Sequence, residues 1–260
     1  MRSASSFTFE PLFVLLGAAV LCAYGRAWRR ERAGIGHVVA FTAGVLMIVL
    51  ALNSPLETIA VDYLVLFHLL QNVIISDWAP PLLVIGLTPA MRAVASRGGR
   101  PFAFVTRPEV ALPVWLVGWY VVHLGGVYDV ALRSPWLLNV EHLFMISIGL
   151  VFWWPVLADE PRSVPTLGRI AYVFAAFVLS AFLGLALTFA PPLYGYYEDL
   201  PTRLWGISAA KDQNLGGILM TTEQALVLFA AVVWLLVRLF REEDEAEAQL
   251  RAQHRARGLL

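Results

Sequence analysis

Long apolar runs alternate along the chain with short segments that carry most of its charge. Seven runs stand out, over residues 11–24, 36–52, 62–87, 109–128, 136–157, 169–189 and 213–240. A helix crosses the hydrocarbon core in about 20 residues. The pattern therefore predicts an all-α fold, a polytopic membrane bundle of seven transmembrane helices. A transmembrane barrel would show alternating strands of about ten residues, and none appear. The longest connections, 88–108 and 190–212, are too short for a soluble domain. A seven-span membrane domain over 1–241 is expected, followed by a charged cytoplasmic tail over 242–260. That tail, rich in Ala, Glu, Gln and Arg, reads as a solvated helical extension of the seventh span.

Composition agrees. Of the 260 residues, 59% are hydrophobic and 15% charged, with 19 basic and 19 acidic residues in balance. Mean hydropathy is +0.69. Such a chain is neither disordered nor a nucleic-acid binder with a basic face. Cys22 is the single cysteine, which excludes a disulfide scaffold.

The distribution of charge gives an orientation. Fifteen of the 19 Lys and Arg residues fall in alternate gaps and the tail: Arg26, Arg29, Arg30, Arg32, Arg92, Arg97, Arg100, Arg107, Arg162, Arg169, Arg238, Arg241, Arg251, Arg255 and Arg257. Seven spans place all of them on one side, the cytoplasmic side by the positive-inside rule. The N-terminus is then outside and the C-terminus inside. The first span, with one Arg before it and four after it, reads as a retained anchor rather than a cleaved signal peptide.

Ionisable side chains inside spans are costly and mark function by default. With a rise of about 1.5 Å per residue, His68, His123 and His142 fall at one level in the outer leaflet. Asp212 and Gln213 stand at the outer mouth of the seventh span, and Glu223 near mid-membrane. Neutral imidazole is the commonest metal ligand and suits copper, zinc and iron. His68 and His142 are the better candidates. His123, beside Gly125-Gly126, reads as structural, and His37 lies at the wrong end. Glu141 reads as an interface residue, because i and i+1 point in different directions. Pro80-Pro81 predicts a kinked or split third span lined by protein. Asp77 then reads as a cap for its second half. Ser180, Ala181 and Gly184 offer a small-residue face for close helix approach.

Several strings occur together in a fixed order: His68-Leu69-Leu70-Gln71, Ala79-Pro80-Pro81-Leu82-Leu83 with Gly86, and Glu141-His142-Leu143-Phe144 with Gly149-Leu150 and Phe152-Trp153-Trp154-Pro155. Tyr197-Glu198-Asp199, Arg203-Leu204-Trp205-Gly206, Asp212-Gln213, Gly216-Gly217, Met220 and Glu223 follow. From Gly44 through Ser54-Pro55 to Arg241, the combination resembles the multi-span CtaG-like cytochrome c oxidase assembly factors of bacteria. The resemblance implies a non-enzymatic protein of the bacterial plasma membrane. Such a protein serves a haem–copper oxidase, with oxidase subunits as partners and copper delivered to the extracytoplasmic copper centre. His68, Gln71, His142, Asp212, Gln213 and Glu223 match the family's polar positions. Two positions depart: Asn72 stands where the family commonly has a second His, and Asp77 where apolar residues are usual.

The expected metal ligands are His68, His142, Asp212 and Glu223, with Gln71, Gln213 and His123 in support and copper as the ion. The alternative is a metal or solute transporter. Its copper form calls for a ladder of soft ligands, which Met47, Met91, Met145 and Met220 do not form. A retinal protein needs a Lys within the last span, and Lys211 lies at its mouth. A membrane oxidoreductase with His68 and His142 on haem is a minor alternative.

Overall fold

The computed structural model describes residues 2–32 and 34–257. Among them every regular element is helical. Helix α1 (Pro11–Glu31) is followed by α2 (Ile35–Asn53), the short α3 (Pro55–Asp62), α4 (Val65–Val73) and α5 (Ala79–Gly86). Two short helices, α6 (Pro89–Ala95) and α7 (Gly99–Val105), lead into α8 (Pro108–Val122) and α9 (Gly125–Leu132). Then come α10 (Pro135–Leu157), α11 (Thr166–Phe189), the one-turn α12 (Gly195–Glu198) and α13 (Ala209–Ala256).

Six helical segments are long and apolar enough to cross a bilayer: α1, α2, the joined Val65–Gly86 segment, α10, α11 and α13. Leu15, Leu50, Phe182, Phe189, Leu226 and Phe229 on these helices are exposed, as lipid-facing side chains should be. The protein is a polytopic membrane protein. The expected fourth span is not one straight helix. α8 has 15 residues, about 22 Å of length, short of a bilayer core of about 30 Å. The chain then bends by 70° into α9. Gly125 sits at the bend because the Leu193 carbonyl lies where a Cβ would project, and the Tyr194 hydroxyl donates to the His123 carbonyl at 3.1 Å.

Pro80 and Pro81 do not split the third span. Residues Ile74–Trp78 widen into a π turn, in which the Ala79 N–H donates to the Ile74 carbonyl, and helix continues to Gly86. The prolines remove the N–H groups that Ser76 and Asp77 carbonyls would accept. The Ser76 carbonyl packs instead on the backbone of Gly149 in α10, together with the Pro80 ring. A π turn inserted in an α-helix is common at functional sites. Asp77 lies inside this turn and makes no cap bond to α5, contrary to the capping role its position suggested.

α11 and α13 pack closely along a glycine seam. A Cβ on Gly184 would strike Thr221 and the Gly217 carbonyl, and one on Gly217 would strike Thr188. Ser180 and Gly184 of the small-residue face are buried, and Ala181 is half-buried. α13 runs for 48 residues, about 72 Å. Its last 16 residues, 241–256, are exposed throughout. At the arginine-rich end, buried Arg169 donates to the Val156 and Val164 carbonyls at 2.8 and 2.9 Å and pairs with Asp159. Arg92 donates to the Leu157 carbonyl at 3.0 Å. The central core is aromatic: Trp115 stacks on Phe152 at 4.3 Å, and Phe152 on Tyr172 at 5.3 Å.

Candidate metal centre

The centre forms where side chains of α4 and of the second turn of α10 meet, at the end of the bundle opposite the arginines. Asp212 fixes the start of α4. Its two carboxylate oxygens accept from the Val65 and Leu66 N–H groups, each at 2.9 Å. Arg203 pairs with the same carboxylate at 2.8 Å and also donates to the Tyr197 carbonyl at 2.6 Å. Orphan N–H groups at a helix start are a ready anion site, and α13 fills this one with its own side chain. Asp212, expected as a ligand, is thus occupied elsewhere and anchors the helix that carries His68.

His68 is fully buried one turn into α4. Its Nδ1 lies 3.1 Å from the Tyr197 hydroxyl. That hydroxyl donates its one proton to the Ala60 carbonyl at 2.5 Å. Tyr197 therefore accepts from His68, the proton sits on Nδ1, and Nε2 presents a lone pair. Nε2 has no hydrogen-bond partner in the protein. It points at Glu141 Oε2, 3.9 Å away.

Glu141 lies between the two histidines. The reading of Glu141 as an interface residue is wrong: it is 8% exposed. Successive helical residues are about 100° apart, and α10 is enclosed over a wide enough arc for both residues 141 and 142 to face inward. Asn72 donates to Glu141 Oε1 at 3.0 Å, which leaves Oε2 without a donor. Asn72 thus aims the carboxylate. His142 Nε2 is 3.4 Å from Oε2, and neither ring nitrogen of His142 has a hydrogen bond. The His68 and His142 rings are 5.8 Å apart, edge to face, and Phe13 of α1 packs edge-on against His142 at 6.0 Å.

His68, Glu141 and His142 each offer one ligand atom within 4.8 Å of the others, and all three are buried. Buried polar atoms are almost always partnered, and orphans mark an ion or water. Here the orphans converge, and two imidazoles with one carboxylate are a metal-binding donor set. Modest side-chain adjustment closes this spacing around one ion with bonds of about 2 Å.

The supporting residues divide. His123 donates from Nδ1 to the Trp119 carbonyl at 2.7 Å and leaves Nε2 unpartnered. Its ring lies 5.8 Å from that of Tyr128, and Tyr128 lies 4.7 Å from His68. It borders the centre without joining the ligand trio. Gln71 donates to the Ala51 carbonyl at 2.8 Å and to the Glu57 carboxylate. Gln213 holds the 190–193 loop, accepting from Leu193 N–H at 2.7 Å and donating to the Leu187 and Pro191 carbonyls at 3.1 Å. Glu223, expected as a ligand, accepts instead from the Trp78 indole and lies beside Asp77. Tyr197 and Tyr128 are the participants that the sequence did not single out, and Asn72 reads there only as a departure from the family pattern. Tyr197 stands in one of the strings that carry the resemblance, but nothing local ties it to His68, 129 residues away.

The family model for the cytochrome c oxidase caa3 assembly factor (Caa3_CtaG) matches residues 18–242. The chain belongs to this family. It is also similar to the uncharacterized protein ML1998 of Mycobacterium leprae (strain TN), 23% identical over 255 residues, which cover 88% of this chain and 38% of the relative. Protein Mb0105 of Mycobacterium bovis (strain ATCC BAA-935 / AF2122/97) is 25% identical over 251 residues, 87% of this chain and 37% of the relative. Protein MT0111 of Mycobacterium tuberculosis (strain CDC 1551 / Oshkosh) has the same figures. The chain spans less than two-fifths of the length of these relatives. No solved structure matches it. The family match takes in His68, Glu141 and His142.

Proposed function

We propose that the protein is a non-catalytic assembly factor of a haem–copper oxidase in the bacterial plasma membrane. It holds copper transiently at His68, Glu141 and His142 before transfer to the oxidase's extracytoplasmic copper centre. The observation that carries this reading is the convergence of unpartnered polar atoms, His68 Nε2, Glu141 Oε2 and one ring nitrogen of His142, in one buried space. The charge balance points to a monovalent ion. Two neutral imidazoles and one carboxylate carry a single negative charge, which Cu(I) neutralises, whereas a divalent ion leaves net charge in a low-dielectric interior. The Tyr197–His68 bond fixes the ligand's tautomer, and Asn72 orients the carboxylate, the usual work of groups behind metal ligands.

The same reading counts α8 and α9 as one bent span, making seven, with the N-terminus outside and the C-terminus inside. The centre then lies in the outer leaflet, on the side where the oxidase receives copper. The test is genetic. His68→Ala and His142→Ala should keep membrane abundance near normal and lower oxidase activity, with partial rescue by added copper. Loss of abundance in both, without copper rescue, makes the cluster a packing device and removes the proposal.

A further inference from the structure

An apolar groove runs lengthwise along α1. Its first chamber, about 390 Å³, lies between α1, α2, α5 and α10 and is walled by Leu16, Val45, Leu83 and Leu150. A second chamber of about 580 Å³ continues it toward the arginine-rich end, between α1 and α6. Val20, Phe41 and Leu87 line both chambers, so the two form one groove. It follows α1 from Phe13 to Arg30, about 25 Å at the helical rise. That exceeds one leaflet of a bilayer core of about 30 Å, so the groove takes an acyl chain lengthwise.

The few polar side-chain groups on the walls are spent inside the protein. The Tyr24 hydroxyl donates to the Gly86 carbonyl at 2.9 Å, Ser147 to the Leu143 carbonyl at 2.7 Å and the Trp154 indole to the Glu160 carbonyl at 2.6 Å. The groove therefore suits an apolar occupant along its length, and its chemistry changes only at one end. There Arg26 and Arg30 line it, with Glu31 beside them. The two arginines are one turn apart on the same side of α1 and both are exposed. Among the described residues neither is in an ion pair. Two cations against one anion leave this end positive.

We propose that the groove holds one anionic phospholipid, its acyl chain along the apolar walls and its phosphate at Arg26 and Arg30. The occupant is identified by charge complementarity and by length. Guanidinium groups bind phosphate through paired hydrogen bonds, and basic pockets between helices at a membrane face take anionic headgroups. An apolar helix fills the walls but leaves both guanidiniums without an anion. A free phosphate meets the arginines but leaves the walls uncovered. No ligand of the proposed metal centre lines this groove, and the lipid site stands independently of that reading.

The test is native mass spectrometry of the full chain, released from micelles that hold equal amounts of phosphatidylglycerol and phosphatidylcholine with identical acyl chains. The unaltered protein should retain one phosphatidylglycerol about tenfold in preference to phosphatidylcholine, the scale of basic side chains at a headgroup. The double variant Arg26→Gln, Arg30→Gln should lose that preference. Arg97→Gln with Arg100→Gln, exposed positions outside the groove, should keep it. Val20→Trp, which plugs the groove where its chambers meet, should lose the retained lipid of either class. Equal retention of the two lipids by the unaltered protein would overturn the proposal without reference to any variant. An equal loss of preference in the Arg97, Arg100 variant would overturn it by assigning the attraction to the basic face as a whole. A lipid-free dimer that Val20→Trp dissociates would overturn it by placing a second copy of the chain in the groove.

Discussion

His68 and Tyr197 share a hydrogen bond whose direction is fixed. The hydroxyl spends its one proton on the Ala60 carbonyl, so it can only accept from His68 Nδ1. The unprotonated Nε2 is thereby turned toward Glu141 and His142. Tyr197→Phe removes the acceptor and frees the tautomer. Copper affinity should fall about 10- to 100-fold, while thermal stability changes by only about 1 kcal/mol. Competition against a chromophoric chelator, with a melting curve alongside, separates the two effects.

His142 gives a test of purpose through stability. Both its nitrogens are buried without partners, so in the metal-free protein the imidazole is a liability. Replacing an unsatisfied buried polar group by an apolar one of similar size is neutral or stabilising. His142→Leu should therefore leave the metal-free melting temperature unchanged or raised, and abolish the rise that copper gives the unaltered protein. A drop of several degrees without metal would show that the ring contributes to packing.

Gly149 is where α10 meets the proline-freed carbonyl of the third span. Any Cβ there collides with backbone, which cannot move aside as a flexible side chain can. Gly149→Ala should cost about 1–3 kcal/mol, read as a fall in melting temperature, whereas Gly126→Ala, with open space around it, should cost much less.

Glu57 on α3, between the second and third spans, is buried, and burial pushes its carboxyl up to about 7. The folded protein therefore holds a proton there that the unfolded chain releases at lower pH. Stability contributed at this position is greatest in acid and declines as pH rises from about 4.5 toward 7. Glu57→Gln should flatten that slope and stabilise the protein at pH 8 by about 2–3 kcal/mol. An unchanged slope between pH 5 and 8 would contradict this.

Much of this was legible in the sequence, for physical reasons. The helices follow from apolar run lengths, because a bilayer imposes one length on every span. The shared depth of His68 and His142 follows from helix rise, but not which faces they occupy, since His123 falls at the same level and stays outside the trio. The inward turn of Glu141 does not, since it depends on how widely α10 is enclosed by its neighbours. Nor does the role of Asp212, which reads equally well as ligand or cap until α13 is placed against α4. The 70° bend after α8 escaped because Gly125-Gly126 permits a bend without requiring one. The contact that uses it comes from Leu193 and Tyr194, far along the chain.

The most direct measurement is an anaerobic Cu(I) titration of the purified chain against a chromophoric chelator. One copper per chain should bind, with binding lost in Glu141→Gln and His142→Leu while both variants melt as the metal-free parent does. A parent protein that does not compete for Cu(I), or variants that bind it with the parent's stoichiometry and affinity, would contradict the assignment of the His68–Glu141–His142 centre.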